Sequence, residues 1–418
     1  MAEAIIFVES NTTGTGRLFA ERARDLGLVP HMLCVDAARY PYLAELDIPH
    51  HPCRTDSQSA VLAECRRLAR GHEIAGVTSS SEYFVATAAG AARALGLPGE
   101  DPGTLAAARD KSVQRQRFAA HGVDSPDFRS VSSVQEAMVA AEHLGLPVVM
   151  KPVSRSGSIG VRRCDTVEEV GKHCVELLAT TVDERGTPLP STALVESYLS
   201  GPEFSVEILN GEVRAVVAKH LDQSQGFLEI GHDVPAAVDR ATGALLADSA
   251  RAALAALGLG WGAAHVELRI VDGRACVVEV NPRLAGGMIP QAIRAATGQD
   301  LIAELIAATA GRNPVRGHAR EGCAAIRFLV PSADGEVGIV SDPAAVRAMP
   351  GVVAAAVTAR PGRQITRQGN FQDRLGYAIA TGDTQRQAGE RAEQAIAAME
   401  LEIVPAGSPA NDTEEARP

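Results

Sequence analysis

Three separated stretches of this chain combine residue types that could hold phosphate groups and a hard metal ion. In "VVMKPVSRSGSIGV", residues 148–161, an apolar strand places Lys151 at its end and a Ser/Gly loop follows. Backbone N–H groups of Ser156, Gly157 and Ser158 can wrap phosphate oxygens, because glycine lets the backbone approach closely. The serine hydroxyls add donors, and Lys151 supplies a compact positive charge. A Gly/Ser hairpin loop with a surface lysine has the same composition, so this stretch does not decide alone. Lys111, near the start of the helical "RDKSVQRQRF", is by itself a lysine on a charged helix face.

The second stretch is a pair of strands. Glu267 lies in "HVELRI", while Glu279 and Asn281 lie in "VVEVNPRL". Strand side chains alternate, so Glu279 and Asn281 share a face, and a turn at Asp272-Gly273 can bring Glu267 alongside. Glu279 interrupts an apolar run, where a carboxylate is rarely found unless paired or metal-bound. Two carboxylates and a carboxamide form the oxygen set Mg²⁺ prefers when it also bridges phosphates. An edge strand with Glu279 facing water is the other reading. Arg283 follows at once and suits a transferring phosphoryl or acyl-phosphate group. Gly286-Gly287 before a helix offers N–H groups to an anion such as a carboxylate. A surface arginine and a glycine turn would read the same. In the third stretch, "VESYLSGPEFSVEI", Glu196 ends a strand before a Gly-Pro turn and Glu203. Backbone groups at such a hinge can read an adenine edge, and the second acid can take ribose hydroxyls.

The elements that must position these groups follow from periodicity. Strands at Ile5–Val8, His31–Val35 and Ala75–Thr78 alternate with helices at Leu18–Leu26, Ser57–Arg70 and Tyr83–Leu95. That order implies a doubly wound parallel sheet over residues 1–105. Gly96–Thr104 reads as a linker. A helix closed by Gly122, a strand Phe128–Val131, a helix Val134–Leu144 and the strand "PVVMKP" come next, then a polar loop over 179–192. Strands dominate 193–220, a long helix spans Gly243–Leu257, and a hairpin covers 263–281. The expected divisions are a small lobe 106–200, a large lobe 201–318, an α+β region 319–405 with a helix Thr384–Met399, and a disordered tail 406–418.

Composition narrows the class. A net charge of −11 at pH 7 argues against a nucleic-acid binder. Seven cysteines without C-x-x-C pairs suit reduced thiols. With no signal-type N-terminus and no membrane-length apolar run, the expectation is a cytoplasmic protein with neither membrane nor nucleic-acid partner.

Taken in order along the chain, "RDK", "VMKP…SGSIGV", "VESYLSGPE" and "VEVNPRLAGG" resemble the ATP-grasp superfamily. Within it, "FLEIGHDVPA" and "SSSEYFVATAAGAARALGLPG" are similar to carboxylate–amine ligases of the L-amino acid (dipeptide) ligase type. The resemblance implies an α/β and α+β architecture: the parallel-sheet N-terminal domain, a two-lobed ATP-binding core and a C-terminal α+β subdomain. It assigns Lys111 and Lys151 to ATP phosphates, with Lys151 also near the adenine. Glu196 and the backbone of Ser197 to Leu199 would meet the adenine, and Glu203 the ribose. The loop Ser154–Gly160 would cover the phosphates. Glu267, Glu279 and Asn281 would hold one or two Mg²⁺ ions, with Mn²⁺ able to substitute. Arg283 would stabilise phosphoryl transfer, while His232, Glu82, Gly286 and Gly287 would face substrate. Related ligases place a bulky residue after the first of these glycines, and Gly287 leaves that space open. A homodimer is the assembly implied.

The chemistry so implied is phosphorylation of a carboxylate by ATP and capture of the acyl phosphate by an amine, giving an amide, ADP and phosphate. Two alternatives share the fold: a carboxylase activating bicarbonate, and a non-catalytic nucleotide-binding protein. The opening "ESNTTGTGRLF" does not support a nicotinamide site, because Gly14-Thr-Gly16 is followed by Phe19 where that fingerprint needs glycine. Ser10–Thr15 is read as a substrate-side wall or a plain helix-capping turn.

Overall fold

The computed structural model describes residues 2–12, 14–222, 226–313 and 320–405. The expected tail 406–418, and Thr13 within the opening loop, lie outside the described residues. Near the N-terminus, strands β1 (Glu3–Val8), β2 (Val29–Cys34), β3 (His50–Pro52) and β4 (Glu73–Thr78) form a sheet in the order β3-β2-β1-β4, with every pairing parallel. β3 is an addition to the sequence reading, since "HHP" carries no apolar alternation. β1 is buried along both faces: Ile6 and Val8 meet the helices Gln58–Leu68 and Val85–Ala94, while Ile5 and Phe7 enter the core shared with the large sheet. That packing sets the loops after β1 and β4, at the carboxyl ends of parallel strands, against the rest of the molecule.

The segment expected to be a linker ends at Asp101, whose side chain accepts from Thr104 N and starts a helix Pro102–Ala108. The single helix expected across "AARDKSVQRQRFAAHG" is therefore two, broken at Asp110, which caps Lys111–His121. Gly122 closes that helix in the left-handed conformation at φ 68°. A second sheet, of order β5-β8-β6-β7, joins β5 (Phe128–Val131), β6 (Val148–Pro152), β7 (Arg162–Cys164) and β8 (Ala193–Ser197).

The third sheet has eight antiparallel strands in the order β13-β12-β9-β10-β11-β14-β18-β16. These are β9 (Glu203–Leu209), β10 (Glu212–Asp222), β11 (Leu228–Val234), β12 (Ala263–Val271), β13 (Arg274–Asn281), β14 (Cys323–Leu329), β16 (Val352–Val357) and β18 (Gly376–Gly382). β11 pairs directly with β14, so the division expected at 318/319 is no break in the hydrogen-bonded sheet. β15 (Gly335–Val340), β17 (Gln364–Ile365) and β19 (Leu401–Val404) form a small separate sheet. The β12–β13 hairpin turns on Asp272 and Gly273, both at positive φ as a type I′ turn requires. No helix among the described residues is long and apolar enough to cross a membrane.

His31 on β2 is buried, 4% exposed, and its Nδ1 lies 3.0 Å from His51 Nε2. Burial, reinforced by His72, His51 and Arg67, pushes its pKa down to about 4. The unfolded chain takes up this proton near pH 6.5, so the unfolded state binds more protons between there and about pH 4. Stability is full above that window and falls through it on acidification. Urea unfolding followed from pH 7 downward will show this acid limb, and His31→Asn will flatten it.

Candidate active site

A cavity of about 760 Å³ opens where the three larger assemblies meet. It is lined by the ends of β6, β8, β9 and β10, by the β12–β13 hairpin, by the loops after β1 and β4, and by residues 363–377. Its size falls in the range of small-molecule sites.

Lys111 starts its helix with its N–H bonded to Val153 O at 2.8 Å. Its ammonium, 4% exposed, reaches Arg155 O at 2.6 Å and Glu279 Oε1 at 2.9 Å. Lys151 meets Glu196 Oε2 at 2.7 Å, and the same carboxylate receives Arg115 Nε at 2.8 Å. Burial, with Arg115 beside it, lowers the Lys151 pKa against the pull of Glu196. Glu196 lines the cavity but spends its charge on these two cations, so its carboxylate is a structural anchor for Lys151. The Ser197 and Tyr198 N–H groups are also taken, by Asp127 O at 2.9 Å and Pro147 O at 3.3 Å. In the strip Ser197–Leu199, the Leu199 N–H has no hydrogen-bond partner among the described residues, while its carbonyl accepts from Arg269 Nη1 at 2.6 Å.

On the hairpin, Glu267 and Glu279 are registered partners, and His265 stands opposite Asn281. With its amide nitrogen turned to the carboxylates, Asn281 donates to Glu82 Oε2 at 2.9 Å and Glu279 Oε1 at 3.2 Å. Arg283 Nε donates to Glu82 Oε2 at 2.9 Å, which joins the loop after β4 to the hairpin. Burial works against ionisation of Glu82, yet Arg283 holds its pKa below the usual carboxylate range. Lys219 on β10 is caged by Glu203 at 2.7 Å, Glu229 at 2.8 Å and Glu267 at 3.2 Å. His265 bonds Glu207 at 2.7 Å and Glu267 at 3.0 Å. Burial lowers its pKa, but these two carboxylates outweigh it and raise the value to about 9. Among the described residues no group of three His, Cys, Asp or Glu side chains is placed to ligate a metal alone. Glu267 and Glu279, with Asn281 once its amide turns to present Oδ1 in place of the donating nitrogen, supply the oxygen types that suit Mg²⁺ completing its shell with phosphate oxygens and water.

Ser156, Gly157 and Ser158 line the cavity. Gly157 has φ 67°, its carbonyl accepts from Phe371 N at 3.3 Å, and a Cβ there would lie 2.3 Å from the Phe371 ring. Ser158 Oγ donates to Phe227 O at 3.3 Å. The Gly/Ser loop is therefore seated on both the large sheet and the segment following β17.

Two sequence expectations need correction. His232 is fully buried, lies outside the cavity lining, and has no hydrogen-bond partner on either nitrogen among the described residues. Burial pushes its pKa down to about 3 despite Glu229 at 3.4 Å, so it is a neutral ring packed behind the lining, beneath Gly287 and against Phe328. Nor does Gly287 leave space: a Cβ there would meet His232 Nε2 at 3.0 Å, Arg374 Nη1 at 3.3 Å and Phe328 at 3.4 Å. Open space adjoins Gly286. The sequence reading also missed Arg115, Lys219, Glu229, Arg269 and Arg374. Lys219 interrupts the apolar "AVVAKHL" as Glu279 interrupts its own strand, and that signal was available.

Known proteins match this arrangement in the same order. The ATP-grasp N-terminal domain model matches residues 21–99, the ATP-grasp domain model 144–291, and the L-amino acid ligase C-terminal domain 2 model 327–404. The "Uncharacterized protein y4rH" of Sinorhizobium fredii is 34% identical over 405 residues, covering 97% of this chain and 84% of that protein. The alanine–anticapsin ligase of Bacillus amyloliquefaciens is 27% identical over 270 residues, covering 60% of this chain and 57% of the ligase. The crystal structure of L-amino acid ligase from Bacillus licheniformis superposes with a TM-score of 0.79 at 21% identity, over 96% of this chain and 98% of that one.

Replacing Gly157 by Ala forces a left-handed backbone costing about 1–2 kcal/mol and a clash with Phe371. The KM for ATP should rise roughly ten-fold. Gly157→Ala with Phe371→Ala relieves only the clash and should recover part of the loss. Unchanged nucleotide affinity in the single variant would remove the loop from the nucleotide site.

Proposed function

Because this chain belongs to the ATP-grasp superfamily, we propose that it is an ADP-forming ligase joining a small carboxylate, an amino acid, to an amine. The observation that carries this reading is the convergence of Lys111, Glu279, Asn281, Glu82 and Arg283 in one connected cluster on the cavity wall. It joins phosphate-side cations to a substrate-side guanidinium. The residues that would hold Mg²⁺ are Glu267, Glu279 and Asn281, and the ion would supply charge neutralisation at the phosphates.

A carboxylate oxygen attacks the γ-phosphorus and the bond to the ADP oxygen breaks, leaving an acyl phosphate. Lys111 and Lys151 offset the repulsion between the two anions. Arg283 orients the carboxylate and meets the charge developing on the transferred group. The amine nitrogen then attacks the acyl carbon, the C–O bond to phosphate breaks, and the nitrogen's proton passes to the departing phosphate. The Leu199 N–H would meet the adenine, Glu203, held by Lys219 and Arg269, would keep acceptor lone pairs for the ribose hydroxyls, and the seated Gly/Ser loop would keep water from the acyl phosphate.

Pairwise incubation of amino acids and other small carboxylates with amines, ATP and Mg²⁺ should release phosphate and yield a product whose mass is the sum of the substrates minus water. ADP release that depends on bicarbonate would replace this reading by the carboxylase one. Glu279→Gln removes the carboxylate that faces Lys111 and should lower ADP release by roughly a hundred- to a thousand-fold. Circular dichroism will show the fold retained, and normal turnover would overturn the metal assignment.

A further inference from the structure

Two cations of the cavity wall, Arg185 and the exposed Arg363, have no carboxylate partner among the described residues, and of the two Arg185 alone is held there by side-chain hydrogen bonds. The tip of the segment between the helix Val167–Ala179 and β8 is a closed turn. Asp183 N donates to Thr187 O at 2.9 Å, and Asp183 Oδ1 accepts from the N–H groups of Arg185 and Thr187 at 2.8 Å each. The turn reaches the N-terminal sheet and lines the cavity through Glu184 and Arg185. Glu184 is occupied by Arg155 and by the Tyr83 hydroxyl at 2.9 Å. Arg185 donates only to neutral groups among the described residues: from Nη1 to the Tyr40 hydroxyl at 3.0 Å and from Nη2 to Ser10 O at 2.8 Å. By contrast Lys111, Lys151, Lys219, Arg269, Arg283 and Arg374 in the same wall each pair with a carboxylate.

Arg185 is nonetheless firmly seated. The Tyr40 hydroxyl that accepts from it donates in turn to Glu9 Oε2 at 2.5 Å, and Glu9 is buried, with further bonds from Thr55 Oγ1 and Val35 N. The guanidinium carbon stands 6.0 Å from the centre of the Tyr83 ring and 5.8 Å from that of Phe84. Tyr83 follows Glu82, the partner of Arg283, so Arg185 and the groups assigned to the reacting carboxylate meet consecutive residues of the loop after β4, and both line the same cavity. The phosphates have their own cations. A preoriented guanidinium lacking a counter-charge at this end matches an anionic group on the substrate that does not react.

We propose that Arg185, oriented by Tyr40 and Ser10, binds a carboxylate carried by the amine substrate and so selects amino acids over simple amines as the nucleophile. This rests on the ligase reading above. A bidentate guanidinium–carboxylate pair in a partly enclosed wall is strong and geometrically selective.

The test compares amino acids with their carboxamides as nucleophiles, in the wild type, Arg185→Ala and Arg185→Lys. In Arg185→Ala the KM for the acid should rise roughly ten- to a hundred-fold, with the KM for the carboxamide and for ATP unchanged. Arg185→Lys keeps the charge but not the fork, and should recover part of the effect. Equal losses on acid and carboxamide, or no loss on either, overturn the proposal. A wild type that forms no amide with any pair fails the ligase reading instead. Calorimetric titration of the same acids and carboxamides into the ADP- and Mg²⁺-loaded protein then still decides Arg185. Acid binding that is weakened in Arg185→Ala supports the assignment, and acid binding equal to wild type overturns it.

Discussion

Buried charge sets the terms for this molecule. A wall built to receive a polyanion must carry cations out of water, and an unpaired buried cation is strongly destabilising. The chain answers with carboxylates that hold each cation at a fixed place: Glu196 for Lys151 and Arg115, Glu279 for Lys111, Glu82 for Arg283, and three glutamates around Lys219. The pairings of Glu196, Glu279 and Glu82, and that of Glu267 with Lys219, link elements distant in sequence, while Glu203 and Glu229 tie Lys219 to the strands on either side of its own. The charges that would serve the ligand therefore also register the sheets against one another.

The same arrangement explains why several acids have two possible occupations. Glu279 faces Lys111, and Glu267 faces Lys219 and His265. On the proposed reading, Glu267 and Glu279 would hold a divalent ion in place of these ammonium groups, and the ammonium groups would turn to the phosphates, an exchange that would keep the local charge close to balanced.

Much of this was legible in the chain. Alternation in "VVEVN" put Glu279 and Asn281 on one face and the Asp-Gly turn brought Glu267 to the same end of the hairpin, but counting from that turn sets Glu267 opposite Val278, and a bulge between Glu267 and Leu268 moves it to Glu279. The parallel sheet and the capped helices were equally readable, because each rests on local periodicity and turn chemistry. What escaped was whatever depends on a remote partner. Glu196 reads as a ligand-facing acid until Arg115 is brought to it from a helix. His232 reads as substrate-facing because the motif contains it. A register shift in the β10–β11 pairing between its neighbours, and the turn at Gly287 that covers it, leave no local trace. The crowding at Gly287 comes from Phe328 and Arg374, well over thirty positions further along the chain.

The large sheet ends in β18 and β16, and β14 is stitched to β11 along four residue pairs. Without the region that begins at β14 the chain would present β11 as a raw edge, lined by the backbone of Gly231, His232, Asp233 and Val234. An exposed edge of that kind recruits any passing strand, including one from another copy. The terminal region thus works as a selvedge for the catalytic sheet, and natural exchange of this segment between relatives would have to preserve the weave at that seam as well as the residues facing the cavity.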